Sequence, residues 1–204
     1  NVGTSMKHFA VNSQEKRRMT ISSVVDERTF REIYLTAFEI AVKKAQPWTI
    51  MNAYNKINGT YCSDNDYLQN KILRDEWGFE GLVVTDWGAA NDRVTGMING
   101  NDLEMPTSNG YNDAKVCKAV REGRMKEESV DICADRMLSL ILKSKDAITV
   151  TSYDKGAHHR LASEICQNSL VLLKNEDNIL KIRAIRKGLP TFCGAFFRGI
   201  QPYT

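Results

Sequence analysis

The sequence predicts an α/β fold in which parallel strands alternate with helices, in the manner of a TIM-type (β/α)8 barrel. Short apolar runs rich in β-branched residues alternate with stretches whose apolar residues recur at helical spacing. Parallel strands need helical crossovers of this kind. Polar side chains also follow consecutive apolar runs, and TIM barrels gather their functional groups at the carboxyl ends of strands. These observations favour a barrel over an open sheet.

The predicted strands cover residues 3–10, 48–54, 81–86 and 102–105, and residues 170–175 form another apolar, strand-like run. The polar residues at the ends of the first four are Lys7 with His8, Asn52 with Tyr54, Asp86 with Trp87, and Asp102 with Glu104. An Asn58-Gly59 turn follows the second strand. These strands make half of an eight-stranded barrel, so we expect the chain to be incomplete if this fold is right.

Helices are predicted over residues 26–45, 64–77, 90–97, 111–122, 127–143 and 157–168. Asp26 and Glu27 suit the positive end of the first helix, and Asp64 is expected to cap the second. The apolar face of the first helix is predicted to carry Phe30, Ile33, Tyr34, Ala37, Phe38 and Ala41. The apolar face of the helix over 127–143 is predicted to carry Val130, Ala134, Met137, Leu138 and Ile141.

The length, composition and charge of the chain limit the classes of protein to which it can belong. A chain of 204 residues, 42% of them hydrophobic, is long enough for one sizeable core, and no apolar run is long enough to span a membrane. The net charge of +3 arises in residues 181–204, which hold five basic and no acidic residues, so residues 1–180 carry a slight excess of acidic residues. This distribution argues against a nucleic-acid partner.

The cysteines are odd in number and widely spaced, and none forms a CxxC pair: they are Cys62, Cys117, Cys133, Cys166 and Cys193. This pattern argues against a zinc site or a disulfide framework and favours reduced thiols, which leans towards a cytoplasmic location. The pair His158-His159 has no cysteine or carboxylate at ligand spacing, so a surface position is expected and no metal site is predicted.

Asp86 is the strongest candidate for chemistry, but the residues alone leave two readings open. A carboxylate directly after a buried strand lies where parallel α/β folds bind ligands, and it also suits a turn or a helix cap. Lys7 could be a solvated charge, His8 a core histidine and Tyr54 a packing residue. Trp87 could close the barrel mouth. Asp102 and Glu104 are expected to stabilise the fold rather than react.

Several motifs, in order and at matching spacing over residues 3–106, resemble glycoside hydrolase family 3, the β-glucosidase group. They are KHFAVN (7–12) followed by Gln14, Glu15 and Arg18, then DER (26–28), REIY (31–34), MNAYN (51–55), LRDEWGF (73–79), VVTDWG (83–88) and DLEMP (102–106). Weaker similarity continues from His159 to Glu176. Each motif alone is modest evidence, whereas the ordered series is specific.

The resemblance implies a retaining hydrolase that removes terminal non-reducing β-D-glucosyl or similar residues from a β-linked oligosaccharide or glycoside. Asp86 occupies the position of the family's nucleophile. Lys7, His8 and Arg18 match its sugar-hydroxyl ligands, Tyr54 matches a residue beside the nucleophile, and Trp87 is placed to offer an apolar face to the sugar. The mechanism needs no metal or organic cofactor, and neither a nucleic-acid nor a membrane partner is implied. The oligomeric state is not predicted.

The resemblance also implies a domain organisation. Residues 1–150 correspond to the C-terminal part of a TIM-type (β/α)8 barrel, the catalytic domain, and residues 151–180 to the start of a linker towards a missing α/β-sandwich domain. The family's acid/base glutamate lies in that second domain, so no acid/base residue is assigned in this chain, Glu176 included. Residues 181–204 depart from the family pattern where the charge becomes purely basic, which suggests an out-of-frame or foreign tail. The alternative functions are an inactive half-barrel that binds sugar weakly and an unrelated α/β binding module.

Overall fold

The computed structural model of the protein describes residues 2–147 and 152–178. The chain forms two units, Asn1–Thr149 and Val150–Thr204. The strands are β1 (Ser5–Phe9), β2 (Ser22–Ser23), β3 (Thr49–Asn52), β4 (Lys56–Ile57), β5 (Thr60–Tyr61) and β6 (Leu82–Thr85). The helices are α1 (the contiguous segments Glu27–Thr29, Phe30–Leu35 and Thr36–Ala45), α2 (Tyr67–Glu76), α3 (Arg93–Ile98), α4 (Tyr111–Arg121), α5 (Glu127–Ala147) and α6 (Lys155–Ser169).

The main sheet is parallel, in the order β1-β3-β6, which confirms the predicted α/β architecture with parallel strands. Asn52 pairs with Thr85 at the carboxyl ends of β3 and β6, so Asp86 lies directly beyond the paired region. The register of β1 against β3 shifts between Met6 and Phe9, where the peptide bonds Lys7–His8 and Phe9–Ala10 are cis. Because the three strands are adjacent and parallel, their carboxyl ends meet at one edge of the sheet.

The strand predicted at 102–105 is reduced to a single parallel bridge between Val84 and Leu103. The amides of Asp102 and Leu103 both donate to the carbonyl of Val83, and the amide of Met105 donates to the Thr85 hydroxyl at 2.8 Å rather than to a backbone carbonyl. The regular ladder ends because its next donor is taken by a side chain.

A second small sheet, β2-β4-β5, has no counterpart among the predicted elements. Its strands are two residues long, which is too short for a periodic pattern. The predicted Asn58-Gly59 turn is confirmed: it joins the antiparallel strands β4 and β5, with φ of 48° and 95° at the two residues, the values that Asn-Gly hairpin turns require.

Helix α1 packs on the main sheet, and its buried face keeps the predicted Phe30 and Phe38 but not Ile33. Phe30 and Leu35 are both buried although they stand five positions apart, because the segment Phe30–Leu35 forms π-helical turns with i→i+5 hydrogen bonds. Ile33, predicted on the core face, is 68% exposed. Phe38 continues the true face, and its ring lies 5.0 Å from that of Phe9 on β1.

Helix α2 begins later than predicted. Asp64 does not cap it: Asn65 does, since its side-chain oxygen accepts from the amide of Leu68 at 3.0 Å. Asp64 lies in the preceding turn, Cys62–Asp64, and its carboxylate is bound by another loop. Helix α3 also starts later than predicted, at Arg93. Asp92 caps it, since its side chain accepts from the amides of Val94 and Thr95.

Helix α5 contacts the core through the predicted Val130 but otherwise along a different line from the predicted one. Leu138 and Ile141 are 57% and 45% exposed, whereas Cys133 is buried with Met97 and Met125 in a second, smaller core cluster. The contacting face includes the charged Arg136, whose ion pair with Asp102 could not be counted in a purely apolar pattern.

In the second unit, Asp154 caps α6 by accepting from the amide of Ala157. The strand predicted at 170–175 is wrong: α6 continues to Ser169, and the residues that follow are irregular and largely exposed, with no partner strand among the described residues. His158 is exposed, which confirms its predicted surface position, and its ring stacks on that of Tyr153. The predicted atypical tail, 181–204, lies outside the described residues.

Candidate active site

Asp86 follows β6 directly and opens a tight turn. The Asp86 amide donates to the carbonyl of Asn52 at 3.3 Å, which continues the sheet by one residue. The amide of Ala89 then donates to the carbonyl of Asp86 at 3.0 Å, and Gly88 takes a φ of 78° at the third position of the turn. This is a type II β-turn, which needs a positive φ at that position and therefore favours glycine.

The Asp86 carboxylate is held on both oxygens. Oδ1 accepts from the amide of Trp87 at 2.7 Å and from the Tyr54 hydroxyl at 3.2 Å. Oδ2 lies 3.3 Å from Nε2 of His8. The side chain is 12% exposed, so it is mostly enclosed yet still reachable from solvent.

Tyr54 links the carboxylate to its neighbours. Its hydroxyl lies 2.9 Å from the carbonyl of Trp87 as well as 3.2 Å from Asp86, and it has one proton to donate to either. The guanidinium of Arg18 lies 4.9 Å from the centre of the Tyr54 ring. Burial, followed by the negative charge of Asp86, raises the pKa of the Tyr54 phenol, and Arg18 opposes that shift.

The other candidate residues lie at different distances from the carboxylate. His8 is half-buried and contacts Asp86, while Lys7 is exposed and has no hydrogen bond or ion pair within the described part of the chain. Arg18 pairs with Glu15 at 3.2 Å and reaches the site through the Tyr54 ring. The Trp87 indole is 62% exposed beside the turn. The structure thus brings His8, Tyr54, Trp87 and Asp86 into direct contact, with Arg18 behind Tyr54.

A shallow cavity lies beside this group. It is lined by Met19, Tyr54, Tyr61, Gly88, Ala89, Ala90 and Asn91. Tyr54 therefore has one end on the Asp86 carboxylate and its body in the cavity wall. The arrangement combines a carboxylate, donors for hydroxyl groups and exposed aromatic surface, which are the groups that bind a sugar ring.

Asp102 and Glu104 have structural partners, as expected. Asp102 has a fully buried side chain that accepts from Arg74, Arg136 and the amide of Val83, each at 2.7 Å. Burial lowers the pKa of Arg74 to about 10, which leaves the guanidinium charged at neutral pH. Glu104 accepts from the side chain of Asn112 at 2.6 Å. Neither carboxylate touches Asp86.

Sequence reasoning missed the residues that hold the turn. Thr85 binds the main chain of Met105 through its hydroxyl, and Asp64 accepts from the side chain of Asn91 at 2.6 Å and from the amide of Asp92 at 3.4 Å. A hydroxyl residue at the end of an otherwise apolar strand was the available signal for Thr85. Nothing local to Asp64 distinguishes it from a helix cap.

Two kinds of structural feature are absent from the described residues. They contain no group of three or more His, Cys, Asp or Glu side chains arranged to hold a metal ion. None of their helices is both long and apolar enough to cross a membrane. Cys62, Cys117 and Cys133 are free thiols.

The chain resembles known glycosidases over most of its length. It is 50% identical to thermostable β-glucosidase B of Acetivibrio thermocellus over 198 residues, which is 97% of this chain and 26% of that protein, so the match extends into residues 181–204. It is 46% identical to the exo-α-(1→6)-L-arabinopyranosidase of Bifidobacterium breve, covering 90% of this chain and 24% of that protein.

Solved structures of β-glucosidases also match most of this chain. A Bifidobacterium adolescentis family 3 β-glucosidase matches with a TM-score of 0.76 at 47% identity, over 88% of this chain and 27% of that one. β-Glucosidase 3B of Thermotoga neapolitana, solved with α-D-glucose, matches with a TM-score of 0.76 at 40% identity, over 87% and 26% of the two chains. This chain spans about a quarter of the length of these relatives. The model of the glycosyl hydrolase family 3 N-terminal domain matches residues 1–140, and the chain belongs to that family.

Proposed function

We propose that this chain carries the nucleophile of a retaining β-glycosidase that removes terminal non-reducing β-D-glucosyl or similar residues. The observation that supports this most is the Asp86 carboxylate, which is enclosed, accepts two hydrogen bonds on Oδ1, lies beside His8 on Oδ2 and is still reachable from solvent. In a retaining mechanism one carboxylate attacks the anomeric carbon and forms a covalent glycosyl-enzyme. The aglycone oxygen leaves with a proton, and water then releases the sugar.

The neighbouring side chains have distinct parts in the proposal. Trp87 N–H and the Tyr54 hydroxyl hold Oδ1 of Asp86 in position. Lys7, His8 and Arg18 donate to sugar hydroxyls, and the exposed Trp87 indole packs against the C–H face of the ring. The relatives include a glucosidase and an arabinopyranosidase, so the proposal names a β-glucosyl or similar sugar rather than one sugar.

The proposed domain organisation follows the same comparison. β1, β3, β6 and the bridged segment at Leu103 are proposed as successive strands of a TIM-type barrel within residues 1–150, with residues 151–180 as the start of a linker to an α/β-sandwich domain. The parallel order of the strands supports this. Retention needs a second carboxylate about 5–5.5 Å from the first, acting as acid and base. We assign none in this chain, because Asp102 and Glu104 are engaged elsewhere.

The test is covalent labelling of the chain with the dinitrophenyl β-glycoside of 2-deoxy-2-fluoroglucose. Its leaving group departs without an acid catalyst, so labelling reports on the nucleophile alone. We expect mass spectrometry of peptides to place one fluoroglucosyl group on Asp86, and Asp86→Asn to remain unlabelled. Glu104→Gln, which changes a carboxylate near the same edge, is the control and should label like the wild type. Modification at another residue, or in Asp86→Asn, would contradict the proposal.

Turnover separates this proposal from the second candidate, a sugar-binding half-barrel without catalysis. That candidate is favoured by the contacts of Asp86, which include no second carboxylate among the described residues. We expect little or no hydrolysis of an ordinary aryl β-glucoside by the chain alone, because the acid is lacking. Labelling without turnover supports the nucleophile, whereas glucose binding without labelling supports the second candidate. Rapid turnover abolished by Asp86→Asn would show that the chain supplies its own acid.

A further inference from the structure

We propose that Thr85 is a positioning residue for Asp86 and acts through the main chain of Met105. The inference rests on the proposed role of Asp86 as a nucleophile. Thr85 is fully buried at the last position of β6, one residue before the carboxylate. The name Met105 clamp is used below for the contacts of the Thr85 hydroxyl and the Gly88 amide with the main chain of Met105.

The Thr85 hydroxyl binds both polar groups of one peptide residue. Oγ1 accepts from the amide of Met105 at 2.8 Å and donates to the carbonyl of Met105 at 3.3 Å. Because the hydroxyl acts as donor and acceptor at once, the Met105 main chain is fixed in both position and orientation. A valine at this position would fill nearly the same volume and make neither bond.

The same carbonyl of Met105 also holds the turn that carries Asp86. It accepts from the amide of Gly88 at 2.8 Å, and the turn closes through the bond from the amide of Ala89 to the carbonyl of Asp86. Between them lies Trp87, whose amide points at Oδ1 of Asp86 at 2.7 Å. Rotation of this turn would therefore move the nearest donor away from the carboxylate.

The hydroxyl of Thr85 is not needed to build the sheet. The Thr85 amide donates to the carbonyl of Leu103 at 3.0 Å, and Thr85 pairs with Asn52 in the ladder, both through the main chain. Both hydrogen bonds of the hydroxyl go to Met105. Its removal should thus loosen the turn while leaving β6 in register.

The experiment compares Thr85→Val with Thr85→Ser in the full chain. Serine keeps the hydroxyl and valine removes it. Thr36→Val is the matched control, because its hydroxyl also binds a main-chain carbonyl, that of Glu32 at 2.6 Å, but on the exposed side of α1. Two readouts are taken on each protein: amide hydrogen exchange at Gly88 by NMR, and the rate of labelling at Asp86 by the fluoroglucoside as a function of its concentration. Urea unfolding checks that each variant is folded.

We expect Thr85→Val to exchange the Gly88 amide about tenfold faster and to label about tenfold more slowly at saturation, with little change in the half-saturating concentration. Thr85→Ser should stay within about twofold of the wild type in both readouts, and Thr36→Val should match the wild type. A folded Thr85→Val with wild-type exchange overturns the Met105 clamp. Faster exchange with wild-type labelling overturns the positioning role. If the wild type itself is not labelled, the proposed function fails, and exchange at Gly88 then decides on the clamp by itself.

Discussion

Asp86 and Asp102 are two carboxylates of the same edge region, and their surroundings differ in every respect that bears on chemistry. Asp102 lies beside Val83, within the length of β6, and its side chain is completely buried. Asp86 lies one residue past the end of β6 and is 12% exposed. Asp102 faces two guanidinium groups, whereas Asp86 faces an imidazole, a phenol and an amide. The Asp102 carboxylate is fully engaged in structural contacts, whereas the Asp86 carboxylate is still accessible to solvent.

A carboxylate near a strand end is therefore a candidate for chemistry only when the fold has not already engaged its lone pairs in hydrogen bonds and its charge in ion pairs. Arg74 and Arg136 neutralise Asp102 and join α2 and α5 to the sheet. Asp86 instead accepts from the Trp87 amide and the Tyr54 hydroxyl and lies beside the His8 imidazole, so no arginine engages it within the described residues.

The largest expected effect is on stability. Asp102→Asn removes the negative charge between two buried or partly buried arginines, and breaking such a pair costs about 3–5 kcal/mol of the free energy of unfolding. Asp86→Asn should change it by less than about 1 kcal/mol, because asparagine still accepts from the amide of Trp87. Urea unfolding followed by circular dichroism measures both. Equal losses in the two variants would mean that the two carboxylates do not differ as described.

The α/β class and the parallel strands were predictable because hydrophobic periodicity and crossover length are local properties of the chain. So was the position of Asp86 at a strand end, since it needs only the strand and its boundary. The face of α1 was only partly predictable: Phe30 and Phe38 are buried as predicted, but the π-helical segment changes the residues per turn and buries Leu35 instead of Ile33. The partners of Asp102 were not predictable either, because Arg136 comes from a distant helix.

The site itself was predicted as a set of residues and not as a set of contacts. The resemblance predicts His8, Tyr54, Trp87 and Asp86 as candidate site residues, and the structure adds which atoms meet. The supports of the turn, Thr85 with Met105 and Asp64 with Asn91, join segments about 20 to 27 positions apart. Pairing over such distances depends on the folded topology, which a single sequence does not display.

An intermediate effect is expected from the glycine that lets Asp86 stand at the end of its strand. Gly88 has a φ of 78°, and a Cβ there would meet no atom within 4 Å, so Gly88→Ala introduces backbone strain without a clash. A left-handed conformation costs an L-residue about 1–2 kcal/mol. We expect that loss of unfolding free energy together with slower labelling of Asp86, because the strain falls on the turn.

Gly123→Ala is the control for this prediction. Gly123 has a φ of 70° and also has no atom within 4 Å of a built Cβ, but it lies after α4, away from the turn. Chemical denaturation should show a similar loss of stability for the two alanine variants. The labelling rate should fall in Gly88→Ala alone. If both variants labelled at the same reduced rate, the effect would come from stability rather than from the geometry at Asp86.

The smallest change is expected in the pKa of Tyr54 when the charge of Asp86 is removed. The pKa of the Tyr54 phenol is raised by burial first and then by the negative charge of Asp86. Asp86→Asn removes the charge and keeps the burial, so the pKa of Tyr54 should fall but stay above its ordinary value. Glu104→Gln should leave it unchanged, since Glu104 does not contribute to that shift. NMR titration of tyrosines labelled with ¹³C at Cζ, assigned with Tyr54→Phe, measures the pKa directly.

The same shift fixes the direction of a pH effect on stability. Because the folded-state pKa of Tyr54 is raised, the neutral phenol contributes stability that is fully present below the unfolded tyrosine pKa of about 10 and is lost as the pH rises through the folded value. Asp86→Asn narrows the window between the two pKa values, so its stability should decline less steeply at alkaline pH than that of the wild type. An unchanged Tyr54 pKa and an unchanged alkaline decline in Asp86→Asn would mean that the carboxylate is not charged beside the phenol, and the contrast with the neutralised Asp102 would be lost.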